Sequence, residues 1–143
     1  MKILSNWQIY ALGSAFFAGL TVLFGKIGVM GINSNLATFI RTIVIIVMIG
    51  CILFCRNEWQ RPQTIDVKTW LFLLLSGIAT GLSWLCYYRA IQLGPISKVA
   101  PVDKLSVALA ILFGIIFLSE KLTWKLLLGS GLVIIGAIIT MSS

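Results

Sequence analysis

Five long apolar runs separated by short polar gaps constrain this chain more than anything else in it: residues 7–29, 36–55, 70–88, 99–119 and 122–141. A bilayer's hydrocarbon core is about 30 Å thick and takes about 20 mainly apolar residues of helix to cross. Each run has that length. A backbone in lipid must satisfy its own hydrogen bonds, and the runs lack the period-2 alternation of barrel strands, so each is expected to be a helix. The chain therefore reads as an all-α integral membrane protein with five transmembrane helices and its two ends on opposite faces.

Composition excludes a soluble fold. Of the residues 59% are hydrophobic and 10% charged, with a mean hydropathy of +1.06, whereas a soluble domain carries about 25% charged residues. The longest gap, residues 56–69 (RNEWQRPQTIDVKT), contains Pro62 and a concentration of charges, and reads as a solvated loop. One transmembrane domain over residues 1–143 is the expected organisation. The first run follows Lys2 like a signal sequence, but it is too long and ends without a clear small-residue cleavage site, so it is read as retained.

The net charge is +7, from 11 Lys+Arg and 4 Asp+Glu. In such a chain this fits basic residues beside anionic lipid, and nucleic acid is not an expected partner. Lys2, Arg56, Arg61, Lys68, Lys121 and Lys125 fall toward one face, and Lys26, Arg41, Arg89, Lys98 and Lys104 toward the other. Discounting residues inside the apolar runs leaves mainly Lys98 on the second face, which favours a cytoplasmic N-terminus. Trp7, Trp59, Trp70 and Trp124 belong to the first face as an aromatic belt. The near balance also leaves open insertion in both orientations, with antiparallel pairing.

Histidine is absent, and Cys51, Cys55 and Cys86 lie in apolar runs without paired CxxC spacing. No metal site, cofactor or catalytic constellation is expected from such a set.

The stretch SWLCYYRAIQLGPISKVAPVDKLS, residues 83–106, sets Arg89, Lys98, Asp103 and Lys104 between two apolar runs. Lys26 and Arg41 are expected at the same end of the bundle. Charges at membrane depth are costly and usually face a protein interior or a water-filled path. Lysine and arginine can snorkel to the headgroups, but the aspartate stem is short, so Asp103 is expected to pair with Arg89 or Arg41. Pro101 suits the first turn of a helix, so VDKLS is expected to open the fourth helix and aim its positive dipole end at the cluster. Two uses stay open: a structural ion-pair network, or a site for a substrate carboxylate or other anion, flanked by Ser83, Trp84, Tyr87 and Tyr88. Residues 84 and 88 share one helical face and 83 and 87 another, so one pair is expected to face the path.

Glycines mark where helices can approach closely. Gly77 and Gly81 form a GxxxG, Gly25, Gly28 and Gly31 recur at every third position, and Gly129 and Gly136 lie seven apart in the last run. The last helix, LLLGSGLVIIGAII, is the expected dimer seam, with packing inside the chain as the alternative.

Four stretches together, GSAFFAGLTVLFGK, LATFIR, YYRAIQLGPISKVAPVDKLS and FLSEKLTWKLLLGSGLVIIGAII, resemble one EamA repeat of the drug/metabolite transporter superfamily, most like its five-helix bacterial and archaeal branch. Lys26, Arg41, Arg89, Pro101, Asp103, Lys104 and Glu120 match that pattern, the last read as structural. The resemblance implies a secondary transporter of small metabolites. Ten-helix relatives are built from two inverted five-helix repeats, so this chain equals one half and is expected to work as a homodimer, antiparallel if both orientations occur. Small multidrug relatives carry a glutamate in the middle of the first helix; here that helix has no acid, which argues against proton-coupled export of cationic drugs. The expected activity is export or exchange of a small zwitterionic or anionic metabolite, such as an amino acid, by alternating access in the cell (inner or plasma) membrane. Two other readings stay open: a lipid-carrier or lipid-phosphate flippase, and a non-transporting partner subunit.

Overall fold

The structure, a computed structural model, describes residues 6–142; Lys2, counted above for orientation, lies outside them. The apolar runs form helices α1 (Asn6–Val29), α2 (Ser34–Arg56), α3 (Val67–Leu93), α4 (Ile96–Asp103), α5 (Leu105–Leu118) and α6 (Trp124–Ser142), with one 3₁₀ turn at Pro62–Thr64. Five spans result, because α4 and α5 together make one crossing, Ile96–Leu118.

Local chemistry sets the ends. Asn33 caps α2, its side-chain oxygen accepting from the Asn35 N–H at 2.8 Å. At the other end of α2, Asn57 takes the left-handed conformation (φ 58°) and its N–H bonds the carbonyls of Leu53 and Phe54. Asp66 accepts the Lys68 N–H before α3, and the Thr123 hydroxyl accepts the Leu126 N–H, so α6 begins at Trp124. Hydroxyls inside the spans turn back on their own helices: Thr38 donates to the Ser34 carbonyl, Thr42 to Thr38 and Thr80 to Ser76. Each polar group is thereby satisfied without a partner helix.

Two boundaries differ from the sequence expectation. The third span continues past Tyr88 to Leu93, stopped only by Gly94–Pro95, since the residue before a proline is pushed out of the helical region. The fourth starts at Ile96, directly after Pro95, which is extended (φ −71°, ψ 144°). Pro101 therefore lies inside α4 rather than opening it, and the span's N-terminal dipole end sits at Pro95–Ser97, away from VDKLS. Having no N–H, Pro101 cannot bond the Ser97 carbonyl. Below it the helix is interrupted at Lys104 (ψ −8°), whose N–H makes a tight bond to the Pro101 carbonyl at 3.1 Å before α5 resumes.

Large apolar side chains point outward along every span, among them Phe16, Phe72, Phe117 and Leu132. Such a surface belongs in lipid, not water.

The chain divides into two compact units. In the unit Gly25–Gln92, the C-terminal turn of α1, α2 and α3 share a small buried core of Val29, Ser34, Ala37, Thr38, Tyr88 and Ile91. On α2 the buried positions 34, 37 and 38 follow helical spacing, which carries half-buried Arg41 onto the same face. In the other unit, α6 packs against α4 and α5. Leu126, Ser130, Gly131, Val133, Ala137 and Thr140 of α6 are its more buried positions, and all but Gly131 repeat at a/d spacing.

Candidate functional site

The unit Gly25–Gln92 brings three of the expected basic residues into one network. The α2 stripe that buries Thr38 places the Arg41 guanidinium over α3, its carbon 4.1 Å from the centre of the Trp84 ring and 5.4 Å from that of Tyr88. Cation–π contact of this kind is strongest when the cation is partly desolvated. The pair 84 and 88 is thus the one that faces the cation, while Ser83 is exposed and Tyr87 packs edge-on against Tyr88. Tyr88, 5% exposed, reaches α1 at Gly25, where an added Cβ would meet its hydroxyl at 3.1 Å. Glycine permits that approach.

Arg41 makes no hydrogen bond or ion pair to another described residue. The residue is half-buried and stacks on two aromatic rings. A guanidinium that stacks on rings and keeps its fork free is well suited to a carboxylate or phosphate.

Lys26 and Gln92 lace α1 to α3. The Lys26 ammonium donates to the Ile91 carbonyl near the end of α3. The Gln92 amide donates to Val29 at 3.1 Å and Ile32 at 2.9 Å, carbonyls at the end of α1 and in the turn after it. Each helix thus caps the other's orphan carbonyls. Arg89, on the exposed surface of α3, donates through Nη1 to the Gln92 Oε1 at 2.8 Å. Gln92 escaped the sequence reading. A glutamine three residues after an arginine shares its helical face, and that spacing was the available signal.

Asp103 and Lys104 belong to the other unit. Asp103 pairs with its neighbour Lys104 at 3.4 Å, while the arginines expected as its partners, Arg41 and Arg89, belong to the unit Gly25–Gln92. Pairing between adjacent residues needs no helix to approach, and both side chains remain partly exposed. Lys104 also stands at the rim of a cleft of about 600 Å³. One face of α1 (Ala11, Ser14, Ala18, Val22) and Ile96 and Ala100 of α4 line it. It is an apolar groove with one ammonium at its edge.

Among the glycines, close approaches occur at Gly25 and Gly114. A Cβ at Gly114 would lie 2.8 Å from Oε2 of Glu120, whose N–H bonds the Gly114 carbonyl at 3.2 Å, so Glu120 folds back over the end of α5. Positions 129 and 136 have nothing within 4 Å of an added Cβ. That face of α6 is open rather than packed within the chain.

Five helices long and apolar enough to cross a membrane define a multi-pass membrane protein. Residues 5–142 match the EamA-like transporter family, and the chain belongs to it, within the drug/metabolite transporter superfamily. It is 50% identical over 134 residues to a Sinorhizobium sp protein named "Uncharacterized transporter in cobO 3'region", a match covering 94% of this chain and 95% of that one. No solved structure matches. The expected family and five-span fold are borne out.

Proposed function

We propose that this transporter exports or exchanges a small zwitterionic or anionic metabolite, such as an amino acid, by alternating access, with Arg41 on its Trp84–Tyr88 shelf receiving the substrate's anionic group. The observation that carries this reading is the half-buried guanidinium with no protein acceptor. A half-buried cation with no protein acceptor has lost part of its water without gaining a hydrogen bond, and an anionic substrate supplies that bond when it binds. Arg89 and Lys26, with Ser83 and Tyr87, are the further groups of this unit assigned to substrate; Asp103 and Lys104 are separate candidates.

Five helices are few for enclosing a path, and the relative of matching length also bears a transporter's name. Two copies of this chain supply ten helices. The homodimer, with its seam along the open Gly129–Gly136 face, is antiparallel if the chain inserts in both orientations; its place is the cell membrane, with the N-terminus cytoplasmic if a single orientation prevails. The second reading, a carrier of lipid phosphate, draws on the apolar cleft with Lys104 at its rim.

Proteoliposomes loaded with one labelled amino acid at a time test the first reading. Saturable efflux above protein-free vesicles for at least one amino acid supports it. Protein-dependent transfer of a fluorescent phospholipid between leaflets, with no amino acid moved in either direction, supports the second and contradicts the first.

A further inference from the structure

We infer that Gln92 is a positioning residue for transport: it fixes the Arg89 guanidinium and makes that placement depend on the turn between α1 and α2. The inference rests on the reading of Arg89 as a substrate contact. Its geometry stands on three hydrogen bonds made by one side chain. The Gln92 oxygen accepts from Arg89 Nη1 at 2.8 Å, and its two N–H donors go to the Val29 and Ile32 carbonyls, at 3.1 and 2.9 Å.

A primary amide has two donors and a carbonyl oxygen, and here both donors and the oxygen are engaged. The donor side is anchored at Val29, which is fully buried, and at Ile32 in the turn. Rotating the amide to release Arg89 would put its oxygen against two carbonyl oxygens, so the orientation is fixed. Arg89 is otherwise exposed on α3, and a long side chain there has many rotamers to lose. Gln92 removes part of that freedom beforehand, which lowers the cost of binding an anion. Any motion that carries the α1–α2 turn away from α3 breaks the donor bonds and frees the arginine. Lys26, bonded to the Ile91 carbonyl, ties the same two helices without touching Arg89, and so provides the control.

The test uses the full-length protein in proteoliposomes. Phenylglyoxal modification of Arg89 is followed by peptide mass spectrometry against Arg61 as internal reference. With Gln92→Leu the Arg89 rate rises about fivefold, the weight of one hydrogen bond. Lys26→Met, which leaves Gln92 and its three hydrogen bonds in place, keeps the wild-type rate. For the amino acid with the largest flux, Gln92→Leu raises the half-saturation concentration about tenfold and lowers maximal flux no more than about twofold, as expected where binding geometry alone is lost. An unchanged Arg89 rate in Gln92→Leu, or an equal rise in Lys26→Met, overturns the positioning role. A faster Arg89 rate with unaltered half-saturation overturns Arg89 as a substrate contact and this proposal with it, while leaving the Arg41 reading standing.

Discussion

The guanidinium of Arg41 lies 4.1 Å from the centre of the Trp84 ring, a contact made across two helices whose residues are 43 positions apart in sequence. Removing the ring separates stability from recognition. Trp84→Leu is expected to lower stability by about 1 kcal/mol, the usual size of a partly desolvated cation–π pair, whereas Trp84→Phe restores most of it. Thermal unfolding in detergent, read by tryptophan-independent light scattering, checks both.

Gly25 is where α1 admits the buried tyrosine. Gly25→Val places branched methyls against the Tyr88 hydroxyl and Ile91, 3.1 and 3.5 Å from the position of the new Cβ, an overpacking of about 1–3 kcal/mol. Gly28→Val meets nothing within 4 Å and serves as the control. The melting temperature should fall for the first and hold for the second. Equal losses would mean that helix propensity, not the tyrosine, sets the requirement.

Asp103 and Lys104 were open to two readings, transport group or structural brace, and exposure discriminates between them. Their pair is 3.4 Å long with side chains 35% and 56% exposed, and exposed pairs contribute about 0–1 kcal/mol. Asp103→Asn should therefore leave the melting temperature near wild type. If flux nevertheless falls, Asp103 acts on substrate; if unfolding accompanies the loss, the residue is a brace.

The open glycine face of α6 makes a separate prediction. Gly129→Leu and Gly136→Leu enter empty space within the chain, so the folded monomer should persist while self-association in lipid vesicles, measured by energy transfer between labelled copies, weakens about tenfold or more, a typical consequence of blocking close helix approach. Unchanged association would move the seam elsewhere.

Much of this architecture could be read in advance because lipid leaves a backbone few options. All five spans follow from run length alone, and the shared face of Trp84 and Tyr88 from i, i+4 spacing, whereas the stacking of Arg41 on that face was not legible, because the arginine was expected to pair with Asp103. Helix ends were less legible. Arg89 and Gln92 look like residues beyond a span, yet α3 includes them, since their polar groups are satisfied by each other and by α1. Pro101 satisfied a rule for helix starts, but Pro95, six residues earlier, had already started the helix. Gln92 carried no charge to draw attention, and its carbonyl partners are 60 and 63 residues away. Asp103 has a partner in its adjacent lysine, a pairing that spacing along a helix does not single out.

Flux through reconstituted protein with Arg41 altered tests the central claim most directly. Efflux of the amino acid that the wild-type protein moves fastest should fall at least about a hundredfold in Arg41→Gln, and recover only in part in Arg41→Lys, which keeps the charge but not the planar fork. Both variants should insert and unfold like the wild type. Wild-type flux in Arg41→Gln would contradict the account, because the guanidinium on its aromatic shelf would then have no part in carrying substrate.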